Sequence, residues 1–393
     1  MTALDLALRF MLIAAAVSII TERLRAPYTV ALVIAGLAIG TLQLAPPIAV
    51  TPEVLLTLLI PPLLFEGGLR LPPTHLRTHG GLIGLLAIPG TLVTAVAIGW
   101  TVHTLFHLEM RSAMLLGAVI SAIDPVSVLA LLREARLDAR LGAVLEGEAV
   151  LNDGVAIILF TIIGGGGAGL AGTTLQFLWL LVGGVATGSL VAVATSYALG
   201  RTQQPLVEAL GSLIAALGSL LAANSVGASG VIAVVAAGVV FGSHSPRHLT
   251  EAGAETVRTT WDLIAFLANS VLFLLIGLEV PAALLARHWL LIATVIVAAF
   301  VVRAGIVYAC ASVRRGGAPL VPAAWRSALV WGALRGGVAI ALALDVDPAI
   351  PGREAIVATA FGVVVFTLLV QGSSVRWMMR RTGLLTPSGT TAR

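Results

Sequence analysis

Ala122-Ile123-Asp124-Pro125-Val126 and Gly147-Glu148-Ala149-Val150-Leu151-Asn152-Asp153-Gly154 each set a carboxylate near the middle of a long apolar run. A charge at that depth in a bilayer costs at least ~2.5 to 3.5 kcal/mol, so such residues mark ion paths by default. In the first stretch Pro125 has no amide hydrogen for the carbonyl of Ser121 and pushes Asp124 out of the α region. This predicts a helix broken at Asp124, with freed carbonyls available to a cation. A structural kink capped by Asp124 is the plainer alternative. In the second stretch helical spacing sorts side chains into faces. Glu146, Ala149 and Asp153 share one stripe, read as the ion face. Glu148 and Asn152 share another, read as the face that holds a buried arginine. Glu146, near the end of its helix, either draws cations inward or is simply solvated.

The rest of the chain sets those carboxylates in a membrane. Of 393 residues 58% are hydrophobic and 11% charged, and the mean hydropathy is +1.03. Soluble domains carry roughly 25% charge, so the composition specifies an all-α polytopic membrane protein. A single cysteine, Cys310, excludes a disulfide framework and reads as packing. The formal charge of +4 comes from arginines that set topology, with no nucleic-acid patch.

Runs long enough to cross about 30 Å of hydrocarbon recur about 13 times. They lie near 4–20, 27–44, 52–68, 80–103, 111–132, 142–164, 174–199, 204–223, 228–242, 260–280, 288–312, 322–344 and 354–375, the eighth and ninth being readable as one kinked unit. The first run is followed, not preceded, by Arg23 and Arg25, so it reads as a retained helix and not as a signal peptide. Alternate loops divide by arginine. Arg23, Arg77, Arg136, Arg201, Arg258, Arg315 and Arg380 fall on one side, while Arg111, Arg287 and Arg353 fall on the other. The positive-inside rule places the amino terminus outside and the carboxyl terminus in the cytoplasm, which requires an odd number of crossings. Arg303 and Arg335 sit inside apolar runs and each needs a buried carboxylate or backbone carbonyls.

Residues 376–393 read as a short cytoplasmic tail, and 1–393 as one transmembrane domain. A second interrupted segment, Trp331-Gly332-Ala333-Leu334-Arg335-Gly336-Gly337-Val338, is the counterpart of the break at Asp124. Breaks at matching positions of two halves predict two inverted-topology repeats whose broken helices cross at the midplane.

Phe65-Glu66-Gly67-Gly68-Leu69, Ala122-Ile123-Asp124-Pro125-Val126, Gly147 to Asp153, Ser229-Gly230-Val231-Ile232-Ala233-Val234-Val235 and Leu334-Arg335-Gly336-Gly337-Val338 together resemble the sodium/proton exchangers of the electroneutral cation:proton antiporter family. The likeness runs almost end to end. It implies a homodimer in the cell membrane, serving pH homeostasis, with a dimerisation part near 1–79 and 174–280 and a core transport part near 80–164 and 288–375. It implies Asp153 as the carboxylate shared by cation and proton, with Asp124 beside it as the second acid at the metal-ion site. Ile123, Asn152, Glu66 and Ser127 would complete the ion site, Glu66 acting through water. Glu148 would pair with a buried arginine, Arg303 as first choice and Arg335 as second. Two positions depart from the family pattern: Ala149 stands for a common serine and Ile123 for a frequent threonine.

Competition at one carboxylate then predicts antiport of Na+ or Li+ against H+, one for one, with no resident cofactor. Small, hard oxygen-bound cations are favoured. Potassium/proton exchange is the second reading. An intramembrane serine hydrolase using Ser229 is a third, and it lacks a histidine base, since His244, His248 and His288 lie in loops or at helix ends.

Overall fold

Runs of leucine, valine, alanine and glycine some 20 residues long offer the backbone no water, and a helix satisfies every N–H and C=O inside the run. The computed structural model follows this rule. It describes residues 3–24, 28–42, 54–124, 139–166, 169–244, 249–280, 282–315 and 318–381. Along them run α1 (Ala3–Leu24), α2 (Tyr28–Thr41), α3 (Ile60–Arg70, entered through a π-helical turn, Val54–Leu59), α4 (Pro73–Ala87), α5 (Pro89–Phe106) and α6 (Met110–Ser121). Then come α7 (Ala139–Gly164), α8 (Gly169–Leu199), α9 (Pro205–Ser225), α10 (Gly230–His244) and α11 (Glu251–Leu278). The chain continues through α12 (Ala282–Arg287), α13 (Trp289–Ser312), α14 (Ala323–Trp331), α15 (Gly337–Leu344), α16 (Arg353–Phe366, extended by a π-helical turn to Gly372) and α17 (Ser373–Arg381). The strand content among the described residues is one pairing of Arg314–Arg315 with Ala318–Pro319.

Each stretch expected to span coincides with helix, wholly or in part, and among the described residues seven helical stretches are long and apolar enough to cross a membrane unaided. The longest, Pro73–Phe106, begins seven residues before its expected start and is divided by Pro89 into α4 and α5. The eighth and ninth runs are separate helices, joined through Gly227 in the left-handed region at φ 68°. The fifth run departs most: α6 stops at Ser121 and the chain turns extended.

Two kinds of helix crossing hold the bundle together. Within one set the backbones touch: a Cβ on Gly36 would strike the main chain of Leu274 to Leu278, and one on Gly277 that of Val33. Gly68 of α3 and Gly238 of α10 face each other's main chain in the same way. Small residues at such crossings let membrane helices approach closely. Between this set and the helices flanking the two breaks, glycine faces side-chain tips instead. Gly67 meets Val150, Gly154 meets Ile232 and Gly337 meets Leu272.

Candidate ion site at the helix crossing

The break at Asp124 and the break at Arg335 lie against each other. Ala122 is extended (φ −63°, ψ 134°), and the amide of Asp124 donates to the carbonyl of Leu334 at 2.8 Å. On the other strand α14 ends at Trp331 and α15 starts at Gly337, leaving Gly332 to Gly336 between them. Gly336 is required here by a close approach. A Cβ on it would lie 2.5 Å from Cβ and 2.6 Å from Cγ of Asp124.

Two polar side chains secure the crossing. Asn152 accepts from the amide of Ile123 at 2.8 Å and donates to the hydroxyl of Thr91 at 2.5 Å. Thr367 accepts from the amide of Arg335 at 3.2 Å and donates to its carbonyl at 3.3 Å. Neither Thr91 nor Thr367 carries a sequence signal, because a threonine in an apolar run ordinarily bonds one turn back along its own helix.

Helix α7 divides its polar residues between these partners and a cavity. Glu148 is 1% exposed and forms a two-pronged ion pair with Arg303, Nη2 to Oε2 at 2.8 Å and Nη1 to Oε1. Arg303 Nε also donates to the carbonyl of Leu329 at 2.9 Å. Arg335, the second choice for Glu148, is elsewhere: it is 3% exposed, its Nη1 donates to the carbonyl of Ala333 at 3.3 Å, and its Nε has no partner among the described residues.

On the other face lies a cavity of about 220 Å³. Asp124, Glu146 and Asp153 line it from the crossing and α7, Glu66 and Arg70 from α3, and Asp262 and Asn269 from α11. Five carboxylates against one guanidinium make it a space that concentrates cations. Arg70 is not loose: it pairs with Glu66 and, at 2.5 Å, with Asp262. Asp153 is 2% exposed, and its Oδ1 has no hydrogen-bond partner among the described residues.

The expected site residues thus fall into two groups. Asp153, Asp124 and Glu66 share the cavity; Ile123 and Asn152 belong to the crossing beside it, and Ser127 lies outside the described residues. Ala149, expected on the ion face, packs with Ile123 and Ala333 and does not line the cavity. At about 100° per residue, four residues leave it some 40° round the helix from Asp153, whereas Glu146, seven back, is only about 20° off. Asp262 and Asn269 lie outside the expected set, although a carboxylate and an amide in an apolar run are themselves a signal. Ser229 is 8% exposed and accepts from the amide of Ile232 at 3.3 Å, an N-cap to α10 rather than an activated nucleophile.

Helices broken against each other inside an apolar bundle, beside a buried and unsatisfied carboxylate at an acidic cavity, define a secondary ion transporter. The sequence profile described as "Sodium/hydrogen exchanger, transmembrane" matches residues 10–381, and the chain belongs to that family. It is 36% identical over 370 residues to the Na(+)/H(+) antiporter ApNhaP of Aphanothece halophytica, covering 91% of this chain and 70% of that protein. It is 32% identical over 383 residues to the Na(+)/H(+) antiporter NhaH of Halobacillus aidingensis, covering 93% and 94%. The solved structure of the sodium proton antiporter MjNhaP1 from Methanocaldococcus jannaschii at pH 8 has the same fold, with a TM-score of 0.81 over 98% of each chain at 19% identity.

Proposed function

We infer that this protein exchanges Na+ for H+ across the cell membrane, with Asp153 as the carboxylate for which the two compete. It is a secondary transporter and not an enzyme. The observation that carries the reading is the unsatisfied Oδ1 of Asp153 at the wall of an acid-lined cavity. A buried, ionised carboxylate with an unsatisfied oxygen is disfavoured, so a bound proton or a bound cation is needed to neutralise it. Binding one expels the other, and only the neutralised site moves readily through a low-dielectric barrier. Asp124, whose backbone amide donates to the carbonyl of Leu334 at 2.8 Å, adds the second charge needed to hold a small cation.

Electroneutral exchange, one ion for one proton, follows from Asn152, which adds no second titrating group next to Asp153. Li+ is a substrate on the same reasoning, since hard oxygen ligands suit small cations. We propose thirteen crossings in two inverted repeats, the amino terminus outside, and a homodimer. The dimerisation part is near 1–79 and 174–280, and the moving core is near 80–164 and 288–375. No resident cofactor enters this scheme.

Purified protein in liposomes, given a pH gradient and then Na+, Li+ or K+ in turn, tests the reading. Dissipation of the gradient by Na+ supports it. Dissipation by K+ alone would establish the potassium/proton alternative, and none with any cation would overturn exchange.

A further inference from the structure

We propose that Asn269 is a cation ligand, supplying its amide oxygen to the transported ion from α11. This goes beyond the residues of the crossing and rests on Asp153 being the exchange carboxylate.

Helix α11 turns a single face to the cavity, with Asp262, Ala265, Phe266, Asn269 and Leu272 following the three- and four-residue spacing of one helical stripe. Asp262 is held by Arg70 at 2.5 Å. Two turns further on, Asn269 stands at the same wall, and its Oδ1 is buried without a hydrogen-bond partner among the described residues. Asp153 Oδ1 has the same condition and lines the same cavity of about 220 Å³. Buried acceptors left without donors are rare in folded proteins, and each one calls for an explanation. Two of them in the lining of one acid-lined space, one from α7 and one from α11, have a common explanation in a cation that draws on both.

The chemistry gives Asn269 a role that a carboxylate there would not have. A proton on Asp153 satisfies Asp153 alone, and an amide oxygen does not bind protons at physiological pH. A cation draws on both oxygens. Asn269 therefore favours the cation-bound over the protonated state of the site, and it belongs to selectivity and affinity rather than to proton binding.

The test uses full-length protein in liposomes, comparing wild type, Asp153→Asn, Asn269→Leu and Asn269→Asp for the dependence of exchange on Na+ concentration. Loss of one oxygen contact of hydrogen-bond strength corresponds to roughly a three- to tenfold rise in the KM for Na+. Asn269→Leu is expected to show that rise with its maximal rate within about twofold of wild type, and to change the Li+/Na+ preference. Asn269→Asp, which keeps an oxygen, is expected to hold the KM at or below the wild-type value. An unchanged KM in Asn269→Leu, or a fall in rate at constant KM, overturns the proposal. Should Asn269→Leu fail to fold by size-exclusion chromatography, a raised KM in Asn269→Asp overturns it instead. Wild type that fails to exchange, or Asp153→Asn that still exchanges, refutes the reading of Asp153. An active wild type, a dead Asp153→Asn and an unaltered Asn269→Leu refute only the role of Asn269.

Discussion

Glu148 and Asp153 lie on the same helix, five residues apart, and are almost equally buried, at 1% and 2% exposure. Their surroundings are opposite. Glu148 meets both prongs of Arg303, which is itself tied to the carbonyl of Leu329. Asp153 keeps one oxygen without a partner and faces a cavity. Burial by itself therefore says little about the work of a membrane carboxylate; whether its surroundings satisfy it is what separates the brace at Glu148 from the exchange site proposed at Asp153. A completed ion pair has no reason to release its partner, and an incomplete one has every reason to take a new one.

The largest effect expected from this contrast is on Asp153. Asp153→Asn keeps the shape and removes the exchangeable charge, so transport in proteoliposomes should fall to background while the melting temperature in detergent is unchanged or raised. Exchange at the wild-type rate in that variant would erase the distinction between the two acids.

Glu148 should behave the other way. Breaking a buried pair leaves an uncompensated charge costing about 3 to 5 kcal/mol, so Glu148→Ala and Arg303→Ala should each melt at markedly lower temperature. The double variant should lose less than the sum of the two, as a thermodynamic cycle would show. Additive losses would mean that the pair contributes no coupling.

A smaller effect is expected at Thr91, whose hydroxyl accepts from Asn152. Thr91→Val leaves the buried amide hydrogen of Asn152 unpaired, at about 1 to 3 kcal/mol. Stability should fall and the KM for Na+ should hold, because Asn152 holds the crossing from outside the cavity. A sharp rise in KM without loss of stability would instead make Asn152 an ion ligand.

Ala149→Ser should give the smallest change. The hydroxyl would enter next to Ile123 and Ala333, at the edge of the crossing. Because position 149 does not line the cavity, the KM for Na+ should be unchanged. A several-fold fall, the worth of one contact of hydrogen-bond strength at about 0.5 to 1.5 kcal/mol, would place the side chain at 149 on the ion.

The parts legible in the sequence are those whose physics is local. An apolar run must be helical, Asp124-Pro125 must break its helix, and a charge in an apolar run must find a partner. These rules locate the helices, both breaks and the need for an arginine beside Glu148. They do not identify partners brought together by folding. Thr91 reaches Asn152 across 61 residues, and no periodicity links such positions; Arg303, 155 residues from Glu148, is named first as its partner only by the family resemblance, and the structure shows that pair. Ala149 departs from its expected face for a geometric reason, since a four-residue step overshoots one helical turn by about 40° and the cavity occupies a narrower arc. A neutral amide such as Asn269 carries no charge that must find a partner, so in an apolar run it is a weaker signal than a buried acid.

The glycine crossings have a mechanical consequence. Where Gly36 meets Gly277, and Gly68 meets Gly238, main chain bears directly on main chain. A joint of that kind has no rotamers through which to yield, so it resists sliding of α2 on α11 and of α3 on α10. Across the seam to the helices of the ion site, Gly67, Gly154 and Gly337 bear on the tips of Val150, Ile232 and Leu272. Branched tips can hop between staggered positions. On the proposed function, which needs the ion site to face each side of the membrane in turn, this seam is where the helices carrying Asp153 would slide, with the glycine-to-glycine joints as the part that holds still.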